Sequence, residues 1–311
     1  MPEPRTRRAG GRVLLAAAVA VAISGAGCSM VRIGYDWLPT LALWRADGYL
    51  SLNAEQRTVA QRHLQQVQAW HRSTQIDDYV AFLQEVRARV SEGPVEAAEF
   101  RRWREAVIDR WGPIAIRVAP GAAELAGTLE AGQIAQMKAG FERDNARVRR
   151  DWMPANDSER REARTRRYVE RAETLLGPLT ESQKRLVRSL AAEGAPAEQD
   201  WYAQRERRQQ ELLALMERIR SERPPEPVAA GWMRAHLERY GRPQPGAVRT
   251  GTDASLSLSD SIGAALLAQA TPQQRRHLDR KLQEWIDLLR SLRPAQTARV
   301  VEQVSRSALL P

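Results

Sequence analysis

The chain is expected to fold as an all-α protein, a multi-helix antiparallel bundle. Three observations carry that expectation. Outside a few glycine- and proline-rich breaks, the sequence is built from Ala, Leu, Arg, Glu and Gln, which are strong helix formers. Apolar residues recur three and four apart, and no stretch sustains the alternation of a strand. Helix-start signals recur at Leu52–Gln56, Leu129–Gln133, Leu179–Gln183 and Ala270–Gln274. Three of these read as capping boxes, in which an N-cap Asn or Thr is answered by Gln three residues on. The intervals between the four glutamines are irregular, which excludes a solenoid period.

The elements follow in order. Arg5, Arg7, Arg8 and Arg12 precede an uncharged apolar run from Val13 to Ile23, and the small residues Ser24–Gly27 come next. Basic, apolar, small is the layout of an export signal. The run is too short to cross a bilayer, which takes about 20 apolar residues. Residues 1–27 are therefore read as a cleaved signal peptide. Apolar residues resume almost at once, at Met30, Ile33 and Tyr35, so the fold starts close to residue 28. Trp37, Leu41 and Trp44 share one helical face and are expected in the core, with contact at a membrane interface as the alternative.

Helices are expected over 54–72, from Ile76 to Glu92, and from about Phe100 through Trp103 and Val107 to Trp111. Gly112-Pro113 and Ala119-Pro120-Gly121 read as breaks. A helix over 131–153 precedes an arginine-rich stretch, Arg143–Arg171, broken near Met153-Pro154. Its charges are expected on a solvated face laced with i,i+4 ion pairs. Helices at 181–191 and 197–221 come next, and Arg223-Pro224-Pro225-Glu226-Pro227 ends the second of them. A helix with Trp232, Leu237 and Tyr240, a polar loop from Gly241 to Ser255, helices at 258–269 and 272–292, and a short last helix complete the chain. Residues 28–222 are taken as a helical domain with a membrane-proximal start, and 223–311 as a carboxy-terminal helical segment packed on the same bundle.

Gly25-Ala26-Gly27-Cys28 resembles a bacterial lipobox. The resemblance implies lipid on the Cys28 sulfur, cleavage before it and acylation of the new amino terminus. Leucine is usual where Gly25 stands. An ordinary signal peptide with an incidental cysteine is the competing reading. Cys28 is the only cysteine, so the mature chain cannot form an internal disulfide. Ser29, not aspartate, then implies sorting to the periplasmic face of the outer membrane. The order lipobox, Tyr35-Asp36-Trp37-Leu38, Leu52–Gln56, Trp70-His71-Arg72, Arg166-Arg167-Tyr168 and Leu176–Gln183 resembles a family of uncharacterised proteobacterial lipoproteins, which implies a helical fold and no known activity. Leu179-Thr180-Glu181-Ser182-Gln183 also resembles the Leu-Thr-x-x-Gln motif of small periplasmic chaperone and envelope-stress proteins, although good capping alone accounts for it.

The formal net charge is +10, and the mature chain stays basic once Arg5, Arg7, Arg8, Arg12 and Glu3 are removed. Lys138, Lys184 and Lys281 are the only lysines. Arginine forks suit phosphate and carboxylate, so anionic envelope components are possible partners, and nucleic acid is not expected on that side of the inner membrane. The histidines are His63, His71, His236 and His277, with no cysteine or acid spacing that completes a metal set. No phosphate loop, nucleophile elbow or metalloprotease pair is present. No catalytic residue, cofactor or metal ligand is assigned. Trp70, His71, Arg72, Arg166 and Arg167 are the candidate interaction residues, and Cys28 the lipidation site. The expected role is binding, scaffolding or client handling at the envelope, the rival being an enzyme acting on cell wall or lipid from an interhelical groove.

Overall fold

The structure, a computed structural model, describes residues 33–153, 156–193, 198–239 and 251–293. The described residues form twelve helices and no strand: α1 Leu38–Leu50, α2 Ala54–Thr74, α3 Ile76–Glu92, α4 Ala97–Asp109, α5 Trp111–Thr128, α6 Ala131–Trp152, α7 Asp157–Leu176, α8 Glu181–Glu193, α9 Glu198–Glu222, α10 Glu226–Glu238, α11 Gly251–Ala268 and α12 Pro272–Ser291. The all-α expectation holds. The last expected helix, beyond residue 293, and the signal region lie outside the described residues.

The helices come as six consecutive pairs, and alternate pairs share a core. Leu50, Ala60, Ala123, Met137, Met216 and Met233, from α1, α2, α5, α6, α9 and α10, pack into the first core. Leu176, Val187, Ile262, Leu266, Leu278 and Leu282 pack into the second, with Leu83, Val86, Phe100 and Trp103 against them, so it is built from α3, α4, α7, α8, α11 and α12. The chain therefore crosses between the cores after every pair. A smaller cluster of Tyr35, Ile76, Val80, Ile286 and Leu292 seats the start of the described chain against α3 and α12.

The four glutamine motifs explain how each core is closed. Gln56 and Gln133 exchange amide hydrogen bonds: Gln56 Nε2 donates to Gln133 Oε1 at 3.0 Å and Gln133 Nε2 donates to Gln56 Oε1 at 2.8 Å. Gln56 Nε2 also donates to the Thr128 carbonyl, and Gln133 Nε2 to that of Leu50. Gln183 and Gln274 repeat this in the second core, with both amide contacts at 2.9 Å and further bonds to the Gln269 and Pro178 carbonyls. Each Oε1 accepts as well from its own N-cap backbone, at Asn53, Glu130, Thr180 and Thr271. One side chain thus caps its own helix and ties that helix start to the loop before another. The irregular spacing along the chain hides a pairing in space.

The same plan governs the two halves of the chain. Within α1–α6 the first and third pairs are clasped, and the middle pair, α3–α4, joins the other core. Within α7–α12 the first and third pairs are clasped, and the middle pair, α9–α10, joins the first core. The halves exchange their central hairpins.

Four sequence expectations are corrected. Ala119-Pro120-Gly121 does not break α5, and Pro120 lies inside it. The carbonyl four residues back belongs to Ile116, on an exposed part of the helix where water can replace the lost donor. Trp111 does not extend α4: it opens α5, and its indole donates to the Leu237 carbonyl at 2.7 Å. Trp37, Leu41 and Trp44 are not core. Leu43, Ala46, Tyr49 and Leu50 take that place, because α1 has two apolar faces and only one meets the first core. The helix after the 241–255 stretch also starts earlier than expected, at Gly251.

Candidate functional site

An apolar concavity lies in the second core. Its volume is about 550 Å³ and it is open to solvent. Leu83 and Val86 of α3, Phe100 and Trp103 of α4, and Leu282 and Trp285 of α12 line its walls, and Leu266 of α11 reaches its floor. Aromatic rings form part of its wall. Phe100 rests on Gly263 so closely that a Cβ there would sit 2.8 Å from the ring, and Trp103 meets Phe100 edge-on at 5.2 Å. Arg104 and Phe100 thus bring α4 against α11, and the groove runs beside that contact, towards α3 and α12. Val107, one turn along α4, lies at the rim and is 56 % exposed.

The polar groups at the groove are few. Arg104 holds Asp260 in a two-pronged contact, Nη2 to Oδ2 at 2.8 Å and Nε to Oδ1 at 3.2 Å. The Asp260 side chain is almost wholly buried. Ser259 lies beside it. Because the guanidinium is spent on Asp260, the groove offers dispersion and apolar area without an excess charge to seat an ionic headgroup.

Trp70, His71 and Arg72 do come together with other residues, at the end of α2. The Tyr35 hydroxyl and His71 Nδ1 are 2.9 Å apart, and the His71 ring meets Tyr79 edge-on at 5.3 Å. Arg72 pairs with Asp36 and stacks over Tyr35 at 5.0 Å. Gln68 donates to the Tyr35 carbonyl. Burial holds the His71 imidazole below its usual 6.5 and pushes the Tyr35 and Tyr79 phenols up from 10.0. With the imidazole neutral and its proton on Nε2, Nδ1 can accept a hydrogen bond from the Tyr35 hydroxyl. The group pins residues 33–36 to the bundle.

Arg166 and Arg167 diverge. Arg166 lines a cleft of about 410 Å³ between α7 and α8 with Arg161, Lys184, Arg188 and Glu162. Arg167 stacks at 5.0 Å over Trp152, which is itself stacked on Trp201. Neither joins the Trp70–Arg72 group. His63 sits against Gly121 and pairs with Glu124 at 2.6 Å, so it shares no site with His71. Among the described residues no three His, Cys, Asp or Glu side chains converge as a metal set. Cys28 lies outside the described residues.

Sequence reasoning gathered Phe100, Trp103 and Val107 as one stripe but not the facing Val86 and Trp285, because the partner of an apolar stripe is set by the exchanged hairpin. The usable signal was the bulk of α4 opposite Gly263.

A family model described as "Family of unknown function (DUF6279)" matches residues 48–227. No curated protein matches the chain, and no solved structure does.

Proposed function

The chain belongs to this family of unknown function, DUF6279, and we propose that it is a lipid-anchored envelope protein that binds apolar segments of client polypeptides in the second-core groove. The observation that carries the binding role is the groove itself: about 550 Å³ lined by Phe, Trp, Leu and Val, with a paired Arg104–Asp260 as its chief polar feature. Ligand sites commonly fall in the range of about 300–1,000 Å³ with mostly apolar walls. The charge-neutral floor favours apolar side chains over a phospholipid headgroup. The anchor and the outer-membrane address are supported by the lipobox-like Gly25–Cys28 and by Ser29.

The test is suppression of aggregation of a reduced, unfolded polypeptide by the full lipidated chain in vesicles. The native protein is expected to suppress it, and Val107→Glu at the groove rim to do so several-fold less while keeping its helical circular dichroism. Equal suppression by both proteins would reject the groove as the site. The anchor is tested separately, by the mass of the mature amino-terminal peptide.

A further inference from the structure

Helix α1 is apolar on two sides. One side carries Leu43, Ala46, Tyr49 and Leu50 into the first core. The other, continued into the helical turn before α1, is a stripe in open solvent: Ile33 is 55 % exposed, Trp37 57 %, Leu41 51 % and Trp44 73 %, with Leu38 beside it at 49 %. Positions 33, 37, 41 and 44 follow one helical face. Two exposed tryptophans on one short helix are costly in water and need a partner.

What lies nearest along the chain is Cys28. Four residues stand between it and Ile33, so the chain reaches about 18 Å at most when fully extended. Ile33 is not on a loose tether, because the next residues are fixed by Tyr35 against His71, Asp36 against Arg72 and the Gln68 amide on the Tyr35 carbonyl. A lipid on Cys28 would therefore keep the start of the stripe within about 18 Å of the bilayer surface. The charge at the far end of the stripe is complementary. Trp44 borders a cleft of about 180 Å³ shared with Arg45, Arg143 and Asp144. Asp144 is contacted by both Arg45 and Arg147, and Arg143 is exposed beside it, so cations outnumber the acid there. Tryptophan prefers the boundary between headgroups and acyl chains, and arginine suits lipid phosphate. A second copy is a poorer occupant: a stable dimer buries about 800 Å² per partner, more than one row of side chains along a short helix offers.

We propose that α1 lies in the plane of the leaflet that holds the anchor, with Trp37, Leu41 and Trp44 at the headgroup–acyl boundary and Arg45 and Arg143 on lipid phosphates. This inference rests on lipidation of Cys28, and it makes the Trp70–His71–Arg72 group a device that positions the body on the membrane.

The sequence itself supplies the probe. Because Cys28 is the only cysteine and its sulfur is blocked by lipid, Leu41→Cys, Trp44→Cys or Arg102→Cys gives one free thiol for a nitroxide label. The full lipidated chain is reconstituted in phosphatidylethanolamine–phosphatidylglycerol vesicles, and collision with dissolved oxygen is compared with collision with an aqueous nickel chelate. Labels at 41 and 44 are expected to shift towards oxygen and away from nickel, relative to the Arg102 label on α4. Labels at 41 and 44 as open to nickel as the one at Arg102 would overturn the proposal. Labels shielded from both reagents would also overturn it, since protein, either residues 294–311 or a second copy, would then cover the stripe. A Cys28 that still reacts with maleimide would reject the anchor instead, a result read independently of the α1 labels.

Discussion

The two cores share a plan and differ in closure. In the first, α5 turns Ala115, Ala119, Ala123 and Ala126 inward, with Gly121 beneath His63. That small-residue face lets α10 lie close, through Ala229 and Met233. In the second, α4 also meets α11 closely, with Phe100 over Gly263 and Arg104 on Asp260, but a groove remains beside that contact between α3, α4 and α12. Both cores are clasped by the same paired glutamines, so the difference is not in the frame. It lies in the side chains of α3, α4 and α12, which leave a gap beside the α4–α11 contact. One exchanged hairpin seals its host core, and the other leaves its host accessible.

The comparison can be broken at several points. The largest effect is expected at Asp260. Arg104→Ala leaves that carboxylate buried without its cation, and loss of one partner of a buried pair costs about 3–5 kcal/mol. Urea denaturation should show it as a lower midpoint, and an unchanged midpoint would mean that Asp260 is solvated. Gln183→Ala comes next. It removes the bonds to Gln274 and the Gln269 carbonyl and strands a buried amide, at a cost of about 2–4 kcal/mol. Gln56→Ala should act alike in the first core through Gln133 and Thr128. A large effect from one and none from the other would break the equivalence of the clasps.

Added volume sharpens the contrast. Ala119→Leu in the sealed core is expected to destabilise by about 1–3 kcal/mol through overpacking. Val86→Leu, which points extra carbon into the groove, should cost less than about 1 kcal/mol and weaken client binding. Equal costs by thermal unfolding would contradict an open second core.

The smallest effect is with pH. Burial holds the imidazoles of His71 and His236 below 6.5. The folded chain therefore binds fewer protons than the unfolded chain across that window. The associated stability is fully present above pH 6.5 and is lost as pH falls through the lowered values. His71 is faced by Tyr35, Tyr79 and Trp70, with Arg72 and Asp36 close by. Acidification from pH 7.5 to 5 should lower the unfolding midpoint, and His71→Gln should remove part of that slope. A slope unaltered by His71→Gln would place the proton uptake elsewhere.

Local features were legible in the sequence. Asn53, Thr180 and Thr271 mark helix starts because a cap is made within four residues. Gly93 and the proline run near 224 stop helices for equally local reasons. Partner choice was not legible. The glutamines at 56, 133, 183 and 274 look alike, and nothing within each motif says that 56 meets 133. The two apolar faces of α1 are equally convincing as core on paper, and only the position of α2 and α6 decides between them. Pro120 misled because its cost depends on whether solvent reaches Ile116. The groove required knowing that α4 faces α11 and α12, which follows from the hairpin exchange and not from the pattern within α4.

Hydrogen exchange of the full lipidated chain with and without an unfolded client tests the central contrast most directly. Protection is expected in α3, α4 and the end of α12, around Val86, Phe100, Val107 and Trp285, with α5 and α10 unchanged. Protection centred on α5 and α10 instead, or none in either core, would contradict the assignment of the open second core as the binding site.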